Sequence, residues 1–188
     1  MARWSKFEKR MRERCIDGVE FKMSKRETNK FEGWAIVRFI VKYKGKTLIN
    51  YPQTEDAKKE RWLRNYTTAT YCAMLFIDGY FALKHVDAFK MTATELFMDA
   101  YTKESERRDP FYWYRADHYK NFLETMADDL FMILKICDRR TGKRKLRRML
   151  TDTLNPDFQE MIHDRLSIKK EDLNETRPED DPKTVGGV

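Results

Sequence analysis

The chain predicts an α+β fold in a single domain: an N-terminal helix, a three-stranded antiparallel sheet, and then a C-terminal layer of four to five helices. Three observations carry this. Apolar residues recur every three to four positions over 3–15, every second position from Val19, and at helical spacing again from Asp56 nearly to the end. Seven glycines and five prolines are few for 188 residues, which favours long helices over a turn-rich sandwich. With 41% hydrophobic and 13% aromatic residues the chain can fill one complete core.

Trp4, Phe7, Met11 and Cys15 make one apolar stripe opposite a basic face, and Ser5 with Glu8 has capping-box spacing. Asp17-Gly18 ends this helix by turn chemistry. Val19, Phe21 and Met23 then alternate with Glu20, Lys22 and Ser24, as a strand with one buried face requires. Arg26 to Glu32 reads as a polar connection. Trp34 to Tyr43 has the β-branched and aromatic mixture of a central strand, Lys44-Gly45-Lys46 supplies a hairpin turn, and Thr47 to Tyr51 returns before Pro52.

The helical layer begins with a long helix over 57–84, marked by Tyr66, Ala69, Ala73, Ile77 and Tyr80. Thr92 with Glu95 caps the next, which carries Leu96, Phe97, Ala100 and Tyr101. Tyr119, Phe122, Leu123, Met126, Leu130, Ile133, Leu134 and Cys137 make the cleanest amphipathic stripe. Leu146, Met149 and Leu150 mark a short helix, and Asn155-Pro156 opens a last one with Phe158, Met161, Ile162 and Leu166 inward. Residues 1–169 form the domain, with helix and meander over 1–52 and helices over 53–169; residues 170–188, almost without apolar side chains, are expected to be a disordered acidic tail.

The net charge of +7 is divided. Residues 171–188 carry six acids against Arg177 and Lys183, which leaves +11 on the rest. A field of that sign attracts nucleic acid, acidic proteins or anionic lipid heads; the competing reading is a well-solvated surface. Cys15, Cys72 and Cys137 lie far apart on apolar stripes without Cys-x-x-Cys spacing, and read as core thiols of a reducing compartment rather than a metal centre. The longest apolar run, Cys72 to Ile77, is too short to span a bilayer, and the N-terminus lacks the apolar segment of a signal peptide. A cytoplasmic protein without membrane, metal or cofactor is expected.

In Asp138 to Arg148, seven of eleven residues are basic. Guanidinium groups bind phosphate oxygens in bidentate fashion, and a helix with Lys143, Arg144, Arg147 and Arg148 on one side suits a phosphate backbone. Arg139, Arg140 and Lys145 complete the candidate surface, with Lys6, Lys9 and Arg10 of the first helix. Phe111 to Tyr114, flanked by Arg107, Arg108 and Arg115, has the composition of a base-stacking platform and equally of a packed loop; Tyr112, Trp113 and Tyr114 are the candidate stacking or interface residues. The order helix, three strands, helix also occurs in double-stranded-RNA-binding domains, with Lys58, Lys59, Arg61 and Arg64 at the start of the second helix here.

No catalytic motif is spelled out. Asp117-His118 and His163-Asp164 are adjacent pairs, which point apart on a helix, and a dispersed site would have to collect His118 with acids from Asp128 or Asp129; His85 and His163 read as surface residues. Arg3-Trp4-Ser5-Lys6 with Lys9-Arg10, together with Asp138-Arg139-Arg140-Thr141-Gly142-Lys143-Arg144, resembles the ends of a family of small uncharacterised bacterial proteins of integron cassettes and other mobile elements. The resemblance implies that the two basic ends form one surface; it supplies no catalytic residues, and the long central helices and acidic tail depart from it. The expected function is therefore a non-catalytic accessory protein that binds nucleic acid. The alternatives are a protein-interaction module, as a homo-oligomer or an inhibitor of a host protein, and an enzyme with a dispersed site.

Overall fold

A computed structural model describes residues 4–29, 34–51, 66–105, 120 and 122–167. The fold is α+β. Helix α1 (Trp4–Arg14) leads into β1 (Val19–Asn29), β2 (Trp34–Tyr43) and β3 (Lys46–Tyr51), and the helical layer follows: α2 (Tyr66–Ala82), the single turn α3 (His85–Ala88), α4 (Ala93–Ser105), a π-helical segment Leu123–Ala127 continuing into α5 (Asp128–Cys137), α6 (Lys143–Asp152) and α7 (Pro156–Ser167).

The sheet is an antiparallel meander in the order β1-β2-β3. Its register places Phe21, Val41 and Ile49 in one row, and all three are buried. The hairpin turn needs two left-handed residues, Lys44 (φ 48°) and Gly45 (φ 84°), the backbone of the turns that match strand twist. A bulge between Val41 and Lys42 leaves Leu48 of β3 without an opposite residue.

Two expectations about β1 are corrected. The strand runs through Arg26 to Asn29, because its ladder with β2 is made by backbone groups and does not need apolar side chains; Lys25 pairs with Val37 and Arg26 with Ile36. Met23 is 42% exposed, since β1 is an edge strand and α2 packs over the central β2.

The helices form where the stripes place them. Phe7, Met11 and Cys15 of the first segment are buried, as are Phe76, Ile77 and Tyr80 of α2 and Leu96, Phe97 and Ala100 of α4. Thr92 and Glu95 do make a capping box: the Thr92 N–H donates to Glu95 Oε2 (2.8 Å) and the Glu95 N–H to Thr92 Oγ1 (3.2 Å). Asn155 Oδ1 accepts from the Asp157 N–H (2.9 Å) at the start of α7. Helix α5 is buried beyond its predicted stripe, for Phe131 and Ile136 are also inside. In α7 the inward stripe continues from Phe158, Met161 and Ile162 to Arg165, 3% exposed, while Leu166 is half-buried. The buried apolar side chains form one cluster that runs from Phe7 to Ile162.

Candidate nucleic-acid interface

The basic run begins where α5 ends. Asp138 is its first residue, and its carboxylate is 1% exposed. A buried carboxylate is costly unless paired and hydrogen-bonded. Here it accepts from the Tyr80 hydroxyl (3.1 Å), from the Arg140 backbone N–H (2.9 Å) and from the Arg140 guanidinium (2.8 Å). Burial, and then the Asp138 charge, pushes the Tyr80 hydroxyl far above its ordinary range, so it stays a donor. From α7, Arg165 closes the loop from below by donating to the carbonyls of Ile136, Asp138 (2.8 Å) and Thr141 (2.9 Å).

Within that frame four of the seven cations serve the fold. Arg139 Nε donates to the Cys15 carbonyl (2.7 Å), and its guanidinium reaches Asp17. Arg140 is committed to Asp138 and lies over the Phe81 ring. Lys143 Nζ donates to the Leu166 carbonyl near the end of α7 (3.2 Å), and Lys145 Nζ sits 3.9 Å from the Phe89 ring centroid. Arg144, Arg147 and Arg148 are exposed, and none of their guanidinium groups has a hydrogen-bonding or ionic partner among the described residues. Their i, i+3, i+4 spacing puts them on one face of α6. Leu146 and Met149 on the other face are buried and hold the helix down. The first turn of α6 has no acidic residue, so its positive dipole end adds to the same field.

The first helix contributes less. Arg10 is paired with Asp78 (3.0 Å), Lys9 is exposed, and the Lys6 side chain lies outside the described residues. The end of α1 and the start of the basic run are joined through backbone: the Arg139 N–H donates to the Arg14 carbonyl (3.0 Å), and Cys15 forms an isolated bridge with Asp138. Tyr112, Trp113 and Tyr114, Lys58 to Arg64, His118 and the segment 170–188 all lie outside the described residues.

His85 Nε2 is 3.0 Å from Thr141 Oγ1, the one imidazole-hydroxyl contact recorded among the described residues. Its geometry does not make a base. Lys145 Nζ faces Nδ1 at 3.5 Å, and an ammonium can only donate, so the ring proton sits on Nε2 and points at Thr141. Burial, partly opposed by the Asp138 charge, lowers the His85 pKa and keeps the ring neutral. Asp128 and Asp129 are exposed at the start of α5. A groove of about 490 Å³ between α1 and β1 is lined by Glu8, Arg12, Asp17, Glu20 and Lys22, whose charges largely pair with one another. Among the described residues no group of three or more His, Cys, Asp or Glu side chains is placed to hold a metal ion, and no helix is long and apolar enough to cross a membrane.

Sequence reasoning passed over Asp138, Arg165, Tyr80 and Thr141 as a network. Arg165 was findable, because it continues the spacing of Phe158, Met161 and Ile162. Tyr80 and Asp138 are 58 positions apart, and nothing local links them. The chain matches no protein-family model, no curated protein and no solved structure.

Proposed function

We propose that this is a cytoplasmic, non-catalytic nucleic-acid-binding protein whose contact surface is the Arg144, Arg147 and Arg148 face of α6. The observation that carries the reading is the division of the basic run. Four cations are used by the fold, and three of one geometry are left exposed on a helix anchored by its opposite face. Three guanidinium groups spaced along about a turn of helix suit adjacent phosphates, which position a protein on a strand without reading its sequence. The resemblance to integron-cassette proteins would make it an accessory protein of a mobile element. Free thiols at Cys15, Cys72 and Cys137 suit a reducing compartment.

The test is a titration of labelled single- and double-stranded DNA and RNA at several salt concentrations. With three phosphate contacts, log affinity on duplex DNA should fall against log salt with a slope of about −3, because each contact contributes about −0.9. Arg144→Ala/Arg147→Ala/Arg148→Ala should abolish this binding and leave the melting temperature unchanged. Salt-insensitive self-association, or no binding by the wild type, would discard the reading in favour of a protein-interaction module.

A further inference from the structure

Cys15 follows α1 and Cys137 ends α5, 122 positions later, yet their sulfurs are 3.2 Å apart, with the Cys137 thiol donating to Cys15 Sγ. Both thiols are free and buried, at 2% and 0% exposure. The backbone on either side is already joined: the Ile16 N–H donates to the Cys137 carbonyl (2.8 Å), the Arg139 N–H to the Arg14 carbonyl (3.0 Å), and Cys15 pairs with Asp138 as an antiparallel bridge. Arg139 Nε on the Cys15 carbonyl is a further tie. A disulfide brings two sulfurs to about 2.05 Å, so closure asks these two to approach by about 1 Å, a shift within reach of side-chain rotation.

We propose that Cys15 and Cys137 are a latent redox site, which a low-molecular-weight disulfide such as oxidised glutathione converts to an intrachain bond tying α1 to α5. In the first step one protein thiolate attacks a glutathione sulfur, the glutathione S–S bond breaks, and one glutathione thiolate leaves. In the second the other protein thiolate attacks the protein sulfur of that mixed disulfide and expels the second glutathione thiolate. The two protons lost by Cys15 and Cys137 end on the two glutathione thiols; two electrons leave the protein sulfurs and reduce the oxidant.

Burial sets the rate. It pushes the Cys137 thiol well above its ordinary range, and glutathione cannot reach either sulfur in the closed fold. Exchange therefore passes through an opened form, so the site responds during folding or transient unfolding. Cys72, also buried and pushed up to about 12, makes no sulfur contact among the described residues and serves as an internal reference.

The full chain would be refolded from denaturant in a glutathione redox buffer, alkylated under acid quench, and its disulfides mapped by mass spectrometry. Three cysteines allow three pairings. The Cys15 to Cys137 pair should exceed the other two by more than tenfold, with Cys72 the remaining alkylated thiol. Cys72→Ser should keep the bond, and the oxidised form should melt higher than the reduced form, because the cross-link restricts the unfolded chain. Comparable amounts of all three pairings, only glutathione adducts or interchain dimers, or a lower melting temperature on closure would overturn the proposal. The pairing ratio is read on the wild-type chain, so it stands even where Cys15→Ser or Cys137→Ser fails to fold.

Discussion

Asp138 carries a buried charge that Arg140 and Tyr80 neutralise and hydrogen-bond, and the same carboxylate fixes the loop leading to α6. Asp138→Ala would strand the Tyr80 hydroxyl and the Arg140 guanidinium together. The expected cost is about 3 kcal/mol, toward the low end for a broken buried pair because Arg140 is 40% exposed, read as a drop in urea midpoint. A midpoint within error of wild type would show that the network does not hold the loop. Two further residues set an acid response. Asp164 accepts from Lys44 (2.8 Å) and Tyr43 (2.7 Å), first the Lys44 and then the Tyr43 hydrogen bond holding its carboxyl below the ordinary value of 3.8. Its stabilisation is complete above that ordinary value and is lost as pH falls through the lower folded value. His85 has a folded pKa below its ordinary 6.5, so between the two values the unfolded chain binds the extra proton and acid again destabilises. Stability should thus decline in two stages, beginning near pH 6.5 and resuming below about 4. His85→Gln should flatten the first stage alone; an unchanged slope there would remove His85 from the account.

Helix α2 approaches α4 at Gly79, where an added Cβ would stand 2.7 Å from the Ala100 Cβ. Gly79→Ala must push the helices apart. We expect a net loss of about 1 to 2 kcal/mol, overpacking outweighing the better helix propensity of alanine, and recovery in the double variant with Ala100→Gly. Loss without recovery would place the strain elsewhere. The sequence shows both residues as small without showing that they face each other, since the contact joins helices whose relative placement no local pattern records. By contrast, the Thr92 and Glu95 cap and the Asn155 cap lie within a turn of backbone and are legible from spacing alone. The basic run stands between these cases. Its charge is plain in the sequence and Arg140 meets Asp138 two positions away, but Arg139 is spent on Cys15 and Asp17, partners that the fold delivers from 122 or more positions away.

At the scale of the molecule, Lys143 on the Leu166 carbonyl brings the end of α7 beside the start of α6. The first of the six acids of 171–188, Glu171, follows Ser167, the last residue of α7, by four positions in the sequence. Deleting 171–188 removes those acids with only two bases, and nucleic-acid binding at low salt should tighten, most at the lowest ionic strength. Equal affinities for truncated and full chains would show that the tail does not compete for the α6 face. The sequence by itself determined the class of fold, the order of the main helices and strands, the hairpin turn, the Thr92–Glu95 and Asn155 caps and most of the inward stripes, because periodicity and turn chemistry act over a few residues. Only the tertiary structure decided which cations of the basic run the fold uses, that Asp138 goes inside, and that Cys15 meets Cys137. Each of those depends on residues dozens of positions apart, and a buried charge or thiol gains its partner only when separate elements pack.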